Sequence, residues 1–136
     1  MTNSDEKKKK RVLVIEDERP IADMIAEFCE CLGFEPSVYD DGVGDILDII
    51  KSFRPDLITL DLIMPNYSGV EILEILKNDE DTKSIPVIII SSIGRNVSVE
   101  QFIGSRVEEI ISKPIKLEKL KSITDHLFSR SPQMNY

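Results

Sequence analysis

The chain has 136 residues, of which 41% are hydrophobic and 31% are charged, and its formal net charge is −8. At about 150 residues per domain one domain is expected, and this composition excludes an intrinsically disordered or collagen-like chain. Residues 1–11 hold five basic and two acidic residues, so the other 125 residues carry a net charge of −11. Proteins that coat phosphate backbones are usually basic, so general nucleic-acid binding is not expected.

The sequence shows no targeting signal and no redox or zinc motif. The first apolar run, Val12–Ile15, is too short for a signal peptide, and no stretch approaches the ~20 apolar residues of a membrane span. Cys29 and Cys31 lack the spacing of redox or zinc cysteines and are expected on a helix in a reducing compartment. His126 is the single histidine, which excludes a two-histidine mechanism. We therefore expect a cytoplasmic protein.

Short branched apolar runs alternate with helical patterns along the chain. The runs, typical of strands buried on both faces of a parallel sheet, are 12–15, 57–60, 87–90 and 110–111, with a weaker one at 36–39. Apolar residues at helical spacing predict helices over 20–32, 43–53, 68–78 and 117–128, and a weaker one over 95–105. Five β-α units predict one α/β domain, a parallel sheet with helices on both faces. We expect this domain over residues 11–128, between a flexible basic arm (1–10) and a flexible tail (129–136).

Polar side chains follow four of the apolar runs. They are Glu16 and Asp17, Asp61, Ser91 and Ser92, and the segment Ser112-Lys113-Pro114. The carboxyl ends of parallel strands meet at one edge of the sheet, so these groups should converge there. Clustered carboxylates repel each other, and Mg²⁺, which prefers oxygen ligands, would remove that conflict. Asp61 then has the setting of a carboxylate nucleophile that accepts a phosphoryl group, with a lysine and a hydroxyl to stabilise it.

At these residues the chain resembles the receiver domains of two-component response regulators. The resemblance covers about residues 11–128 and includes four segments in the order typical of the family. These segments are Val12–Glu18, Leu60–Gly69, Pro86–Ser92 and Ser112–Pro114. The family implies a doubly wound (βα)5 fold with the flavodoxin-like strand order 2-1-3-4-5. It also implies a cis peptide bond before Pro114.

The resemblance implies a role for each matching residue. Asp61 would be the phosphoacceptor, and Lys113 would pair with the phosphoryl group or with the Asp61 carboxylate. Glu16 and Asp17 would hold Mg²⁺, together with Asp61 and the backbone carbonyl of Ile63. Asp17 would lie closest to the ion, and Glu16 would act through water. Ser91 would be the switch hydroxyl that moves toward the phosphate.

Three residues depart from the family pattern. Ile110 stands where many receivers have Tyr or Phe, so this position offers no aromatic ring or phenol to a partner. Arg106 and Val107 replace the small Gly-Ala pair that is common a few residues earlier. These changes, together with the weak helix pattern over 95–105, predict an unusual output surface beside intact chemistry.

The resulting hypothesis is a stand-alone, phosphorylation-controlled receiver. A histidine kinase or phosphotransfer protein would supply the phosphoryl group. The receiver would catalyse its own phosphotransfer and dephosphorylation without being a metabolic enzyme. A receiver that fills the chain leaves no room for a DNA-binding domain. Output would therefore come through contact with an unidentified protein, as a monomer or a phosphorylation-dependent dimer.

Two alternatives remain open at this point. An aspartate-nucleophile phosphatase of the haloacid dehalogenase type also combines Asp, Lys and Mg²⁺. That class needs a second aspartate two residues after the nucleophile, and Ile63 occupies this position. The other alternative is a binding module that keeps the receiver fold but works without phosphorylation. Retention of every site side chain argues against it.

Overall fold

The computed structural model describes residues 8–64, 68–92 and 107–129. A five-stranded parallel sheet with the order β2-β1-β3-β4-β5 forms its centre. The strands are β1 (Arg11–Ile15), β2 (Glu35–Tyr39), β3 (Leu57–Leu60), β4 (Val87–Ser91) and β5 (Glu109–Ser112). The predicted fold class and strand order are both confirmed.

Four helices lie within the described residues. They are α1 (Arg19–Cys31), α2 (Ile46–Phe53), α3 (Gly69–Asn78) and α4 (Leu117–Phe128). Side-chain caps fix where two of them begin, because Asp45 accepts hydrogen bonds from the first turn of α2 and Ser68 from that of α3. None of the four has the length and apolar character needed to cross a bilayer.

The sheet is buried on both faces, which gives the domain three layers. One core cluster includes Leu60 and Ile89 together with residues of α2 and α3. The other includes Val14 and Ile90 together with residues of α1 and α4. Alternate residues of each central strand enter opposite clusters, which explains why these strands read as continuous apolar runs.

One boundary differs from the sequence prediction. The pattern over 43–53 placed Val43 on the buried face of a helix, but α2 begins at Ile46 and Val43 is 69% exposed. Gly42 and Gly44 both have positive φ angles, and this loop conformation ends at the Asp45 cap. The predicted helix over 95–105 lies outside the described residues, as does the predicted tail beyond Ser129.

Candidate functional site

The carboxyl ends of β1 and β3 place two acidic residues side by side. The register of these neighbouring strands pairs Ile15 with Leu60, so the residues that follow them, Glu16 and Asp61, are adjacent. The Asp61 N–H donates a hydrogen bond to the Ile15 carbonyl at 3.1 Å. This bond extends the hydrogen bonding between β1 and β3 into the site. The parallel sheet itself therefore creates the carboxylate pair.

These carboxylates are shielded from water to different degrees. Glu16 is 1% exposed and Asp61 is 4% exposed, whereas Asp17 is partly buried. One carboxylate oxygen from each of the three lies within 4.8 Å of the others. This all-oxygen donor set at one edge of the sheet is of the kind that Mg²⁺ takes, so the residues fit the predicted ion.

A single ammonium group joins the two buried carboxylates. Lys113 Nζ donates a hydrogen bond to Asp61 Oδ2 at 3.0 Å. The same nitrogen forms an ion pair with Glu16 Oε1, also at 3.0 Å. Glu18 Oε1 is more distant, at 3.7 Å, and lies on an exposed side chain. Lys113 thus bridges strands β1 and β3 from the end of β5.

Burial dominates the electrostatics of Glu16. Loss of water around its carboxyl group raises its pKa from 4.5 to about 7, the Lys113 ammonium opposes this, and the nearby Asp61 adds to it. For Lys113, burial acts to lower the pKa, but contacts with Glu16 and Asp61 outweigh that effect and raise it. The ammonium is therefore held charged, and the cluster has one carboxyl group close to titration at neutral pH.

The Asp61 side chain is held by the loop that follows it. Its Oδ1 atom accepts a hydrogen bond from the Ile63 N–H at 3.1 Å, while Oδ2 contacts Lys113. The Ile63 side chain is 56% exposed, so it borders the site from the solvent side. Asp61 therefore has a fixed orientation in which each oxygen contacts a different donor.

Gly69 allows helix α3 to begin against the backbone of Asp61. A Cβ atom built on Gly69 would lie 2.2 Å from the Asp61 carbonyl oxygen and 2.6 Å from Leu62 Cα. The Gly69 N–H also donates to the Leu62 carbonyl at 3.1 Å. No role in the site was predicted for Gly69 from the sequence. The available signal was a glycine at the first helical position, where almost any other residue is a better helix former.

The remaining predicted features lie at the ends of β4 and β5. Ser91 is fully buried at the last residue of β4, and its carbonyl accepts a hydrogen bond from the Lys113 N–H at 3.0 Å. This bond fixes the backbone from which the lysine side chain reaches the carboxylates. The peptide bond between Lys113 and Pro114 is cis, as the sequence predicted. The switch function of the Ser91 hydroxyl stays a prediction.

Ile110 lies in the core, as its place in an apolar run predicts. It is 6% exposed, pairs with Ile89 across the sheet, and belongs to the cluster that α2 and α3 cover. Val107 packs against the same cluster, while Arg106 lies outside the described residues. At this position the chain therefore has a packed aliphatic side chain where the family often places a ring.

Comparison with known proteins agrees with this architecture. The family model for the response regulator receiver domain matches residues 12–125. The polar-differentiation response regulator DivK of Brucella anthropi is 30% identical over 119 residues, which are 87% of this chain and 96% of DivK. The chain is also 33% identical over 111 residues to the phosphate regulon transcriptional regulatory protein PhoB of Pseudomonas aeruginosa. That match covers 82% of this chain and 48% of PhoB.

Solved structures show the same fold. The chemotaxis protein CheY4 of Vibrio cholerae superimposes with a TM-score of 0.79 at 20% identity, covering 89% of this chain and all of that one. The chain spans about half the length of several curated relatives that it matches, PhoB among them. With a family model matched over most of its length, this chain belongs to the response regulator receiver domains, which are phosphorylation-controlled signalling receivers.

Proposed function

We propose that this receiver accepts a phosphoryl group on Asp61 in a Mg²⁺-dependent transfer from a histidine kinase or a phosphotransfer protein. The observation that carries the proposal is the Lys113 ammonium, which lies 3.0 Å from one oxygen each of Asp61 and Glu16 at the carboxyl edge of the sheet. Phosphoryl transfer depends mainly on positioning and charge neutralisation, and this cluster offers both.

Each residue has a defined part in the transfer. A carboxylate oxygen of Asp61 bonds to phosphorus as the bond from phosphorus to the donor histidine nitrogen breaks, and the imidazole keeps the released electron pair. Lys113 stabilises the charge on the phosphoryl oxygens, and the Ser91 hydroxyl donates to one of them after a local movement. Glu16, Asp17, Asp61 and the Ile63 carbonyl would hold Mg²⁺, which when bound neutralises negative charge on the phosphoryl group.

Loss of the phosphoryl group belongs to the same proposal. Hydrolysis requires a water molecule in line with the bond between Asp61 and phosphorus. The exposed Ile63 side chain, on the loop that holds Asp61, offers no hydrogen bond to orient that water. We therefore expect slow autodephosphorylation, which a phosphate-release time course measures. The sequence offers a second apolar flanking position, Ile93, which lies outside the described residues.

Output would occur through protein contacts. A phosphorylated carboxylate can no longer pair with Lys113 as it does now, so the network that joins β1, β3 and β5 must rearrange. Such a change at the ends of three strands alters the loops around the site, which an output protein or a second copy could recognise. A cytoplasmic location belongs to the same proposal, because the receiver must meet its kinase or phosphotransfer protein there.

Intact-mass spectrometry tests the phosphoacceptor. Wild-type protein incubated with acetyl phosphate and Mg²⁺ should gain one phosphoryl adduct, and chelation of the metal should prevent it. Asp61→Asn should gain none. Asp56→Asn is the matched control, because Asp56 lies at the opposite edge of the sheet and its side chain accepts a hydrogen bond from the Arg11 N–H.

A second variant tests the metal ligands separately. Asp17→Ala removes a partly buried carboxylate without touching Asp61, so adduct formation should need a higher Mg²⁺ concentration. Unchanged Mg²⁺ dependence would contradict the metal assignment alone. Absence of any adduct in the wild type with any small donor would instead favour a receiver-fold binding module that works without phosphorylation.

A further inference from the structure

A groove runs across the amino-terminal edge of the sheet, opposite the carboxylate site. It consists of two adjoining cavities of about 710 and 520 Å³ that share Arg54 and Asp56 in their walls. The larger cavity is lined by five cations and two carboxylates, in a chain whose net charge is −8. The lining of this cavity therefore carries a net positive charge, whereas the chain as a whole is negatively charged.

The carboxylates in the groove already have partners. Asp56 Oδ2 accepts a hydrogen bond from the Arg11 N–H at 2.8 Å, and Glu35 Oε1 lies 3.7 Å from Arg11 Nε. In the smaller cavity, Asp81 Oδ2 lies 3.7 Å from Lys51 Nζ. A hydrogen bond to a backbone N–H leaves the charge of Asp56 in place, so the larger cavity keeps an excess of three cations over carboxylates.

With Arg11 paired to Glu35 and the Lys10 ammonium over the Phe128 ring, three cations of the larger cavity are left, Lys8, Lys9 and Arg54. Within the described ranges, no ion pair or side-chain hydrogen bond involves any of the three. Arg54 lies where the cavities meet, and its backbone has a φ of 58°, which makes it the one described non-glycine residue with positive φ. A guanidinium and two ammonium groups therefore face open space along one groove.

The basic segment is held in place beside the groove. The Lys10 carbonyl accepts a hydrogen bond from the Glu35 N–H at 2.8 Å, and Lys10 Nζ lies 5.2 Å from the centre of the Phe128 ring. The Arg11 guanidinium donates to the Phe53 carbonyl at 2.6 Å. These contacts anchor the chain directly after Lys8 and Lys9, which line the same cavity as Arg54.

We propose that this groove binds an acidic peptide segment of a partner protein. The Arg54 guanidinium can bind one carboxylate through two parallel hydrogen bonds, while Lys8 and Lys9 attract further carboxylates along the groove. A nucleic acid fits less well, because its long phosphate backbone would extend beyond the groove over a chain whose residues after Arg11 carry a net charge of −11. The acidic residues would repel the phosphates over a Debye screening length of about 8–10 Å.

This surface serves a different purpose from the phosphoacceptor. The two sites occupy opposite ends of the strands and share no residue. The groove is therefore available whether or not Asp61 is phosphorylated, and it would tether the receiver to a partner while the carboxyl edge undergoes its chemistry. The inference does not depend on the proposed phosphoryl transfer.

Fluorescence anisotropy with a labelled hexaglutamate peptide tests the proposal. We expect salt-sensitive binding that becomes roughly tenfold weaker in the Lys9→Glu/Arg54→Asn double variant. Asparagine at position 54 removes the charge while tolerating the left-handed backbone. Lys121→Glu, an exposed position on α4, is the matched control and should bind like the wild type. Lys8→Glu/Lys9→Glu changes only the arm and provides a second test that does not affect folding.

Three results would overturn the proposal. One is equal hexaglutamate affinity in the wild type and in both groove variants. Another is tighter binding of a hexathymidylate oligonucleotide than of hexaglutamate, which would indicate a nucleic-acid partner. The third is loss of peptide binding in Asp61→Asn, which would place the peptide at the carboxyl edge. Unchanged binding in Asp61→Asn, even if no phosphoryl adduct forms in the wild type, supports the groove independently.

Discussion

The two ends of the parallel sheet differ in how their charged side chains are buried and partnered. At the carboxyl edge, Glu16 and Asp61 are buried and share the ammonium of Lys113. At the amino edge, the groove carboxylates have local partners, while Lys8 and Arg54 face open space. Buried charges are kept only where they are partnered, whereas exposed charges can remain uncompensated at little cost. The carboxyl edge is therefore suited to chemistry and the amino edge to association.

Of the predicted changes, removal of Lys113 should have the largest effect, because Lys113 is the shared partner of the charges at the carboxyl edge. Lys113→Met leaves Glu16 and Asp61 buried beside each other without a cation, and it removes the charge that would stabilise the phosphoryl oxygens. We expect adduct formation from acetyl phosphate to slow by about 10²–10³-fold. The rate is measured by intact-mass time courses. Lys51→Met, which breaks exposed ion pairs at the amino edge, should keep the wild-type rate.

Gly69→Ala should disturb the site through its backbone. The added Cβ would lie 2.2 Å from the Asp61 carbonyl oxygen, so α3 must shift, at a cost of about 1–3 kcal/mol in unfolding free energy. Chemical denaturation and the adduct time course should both change. The control is Gly33→Ala, which introduces strain at a φ of 92° but meets no atom within 4 Å. If Gly33→Ala slows adduct formation as much as Gly69→Ala, the positioning role is wrong.

The pH dependence of stability should reveal the raised pKa of Glu16. Because burial raises its pKa from 4.5 to about 7, the folded metal-free protein holds a proton that the unfolded chain releases. This contribution is fully present below pH 4.5 and is lost as the pH rises toward 7. In chelator, thermal melts of the wild type should therefore lose stability over this window relative to Glu16→Gln. Parallel pH profiles of the two proteins would contradict the assignment.

Thr59→Val should have the smallest effect, and any change in the free energy of unfolding should be an increase. Thr59 Oγ1 is fully buried in β3, and no hydrogen-bond partner for it is found in the described part of the chain. Valine has nearly the same shape, so we expect stability to be unchanged or to increase by up to about 1 kcal/mol. Thr82→Val is the control, since Thr82 Oγ1 donates to the Leu76 carbonyl at 2.7 Å and its loss should destabilise the protein. Equal destabilisation by both substitutions would show that Thr59 has a partner.

Much of this architecture could be read from the sequence because it rests on local rules. Strands buried on both faces give runs such as Val87–Ile90, and the carboxyl-edge geometry follows from parallel pairing, so Glu16, Asp61 and Lys113 could be placed together in advance. The receiver motifs then supplied roles that the spacing alone did not, including that of Ser91.

The remaining features depend on contacts between distant segments. Val43 fits a helical pattern, but the positive φ of Gly42 and Gly44 keeps it in a loop. The closeness of Gly69 to Asp61 appears only once α3 has packed on the sheet. The free cation Arg54 becomes part of a groove only when β1 and β3 bring the basic arm beside it. Such features are tertiary and have no short sequence signature.

The most direct test of the central claim locates the phosphoryl group within the chain. Borohydride reduction converts an aspartyl phosphate to homoserine, so peptide mass spectrometry can identify the modified position. After treatment with acetyl phosphate and Mg²⁺, we predict homoserine at position 61 and at no other aspartate. Homoserine at a different position, or its complete absence with every phosphodonor tried, would contradict the assignment of Asp61 as the phosphoacceptor.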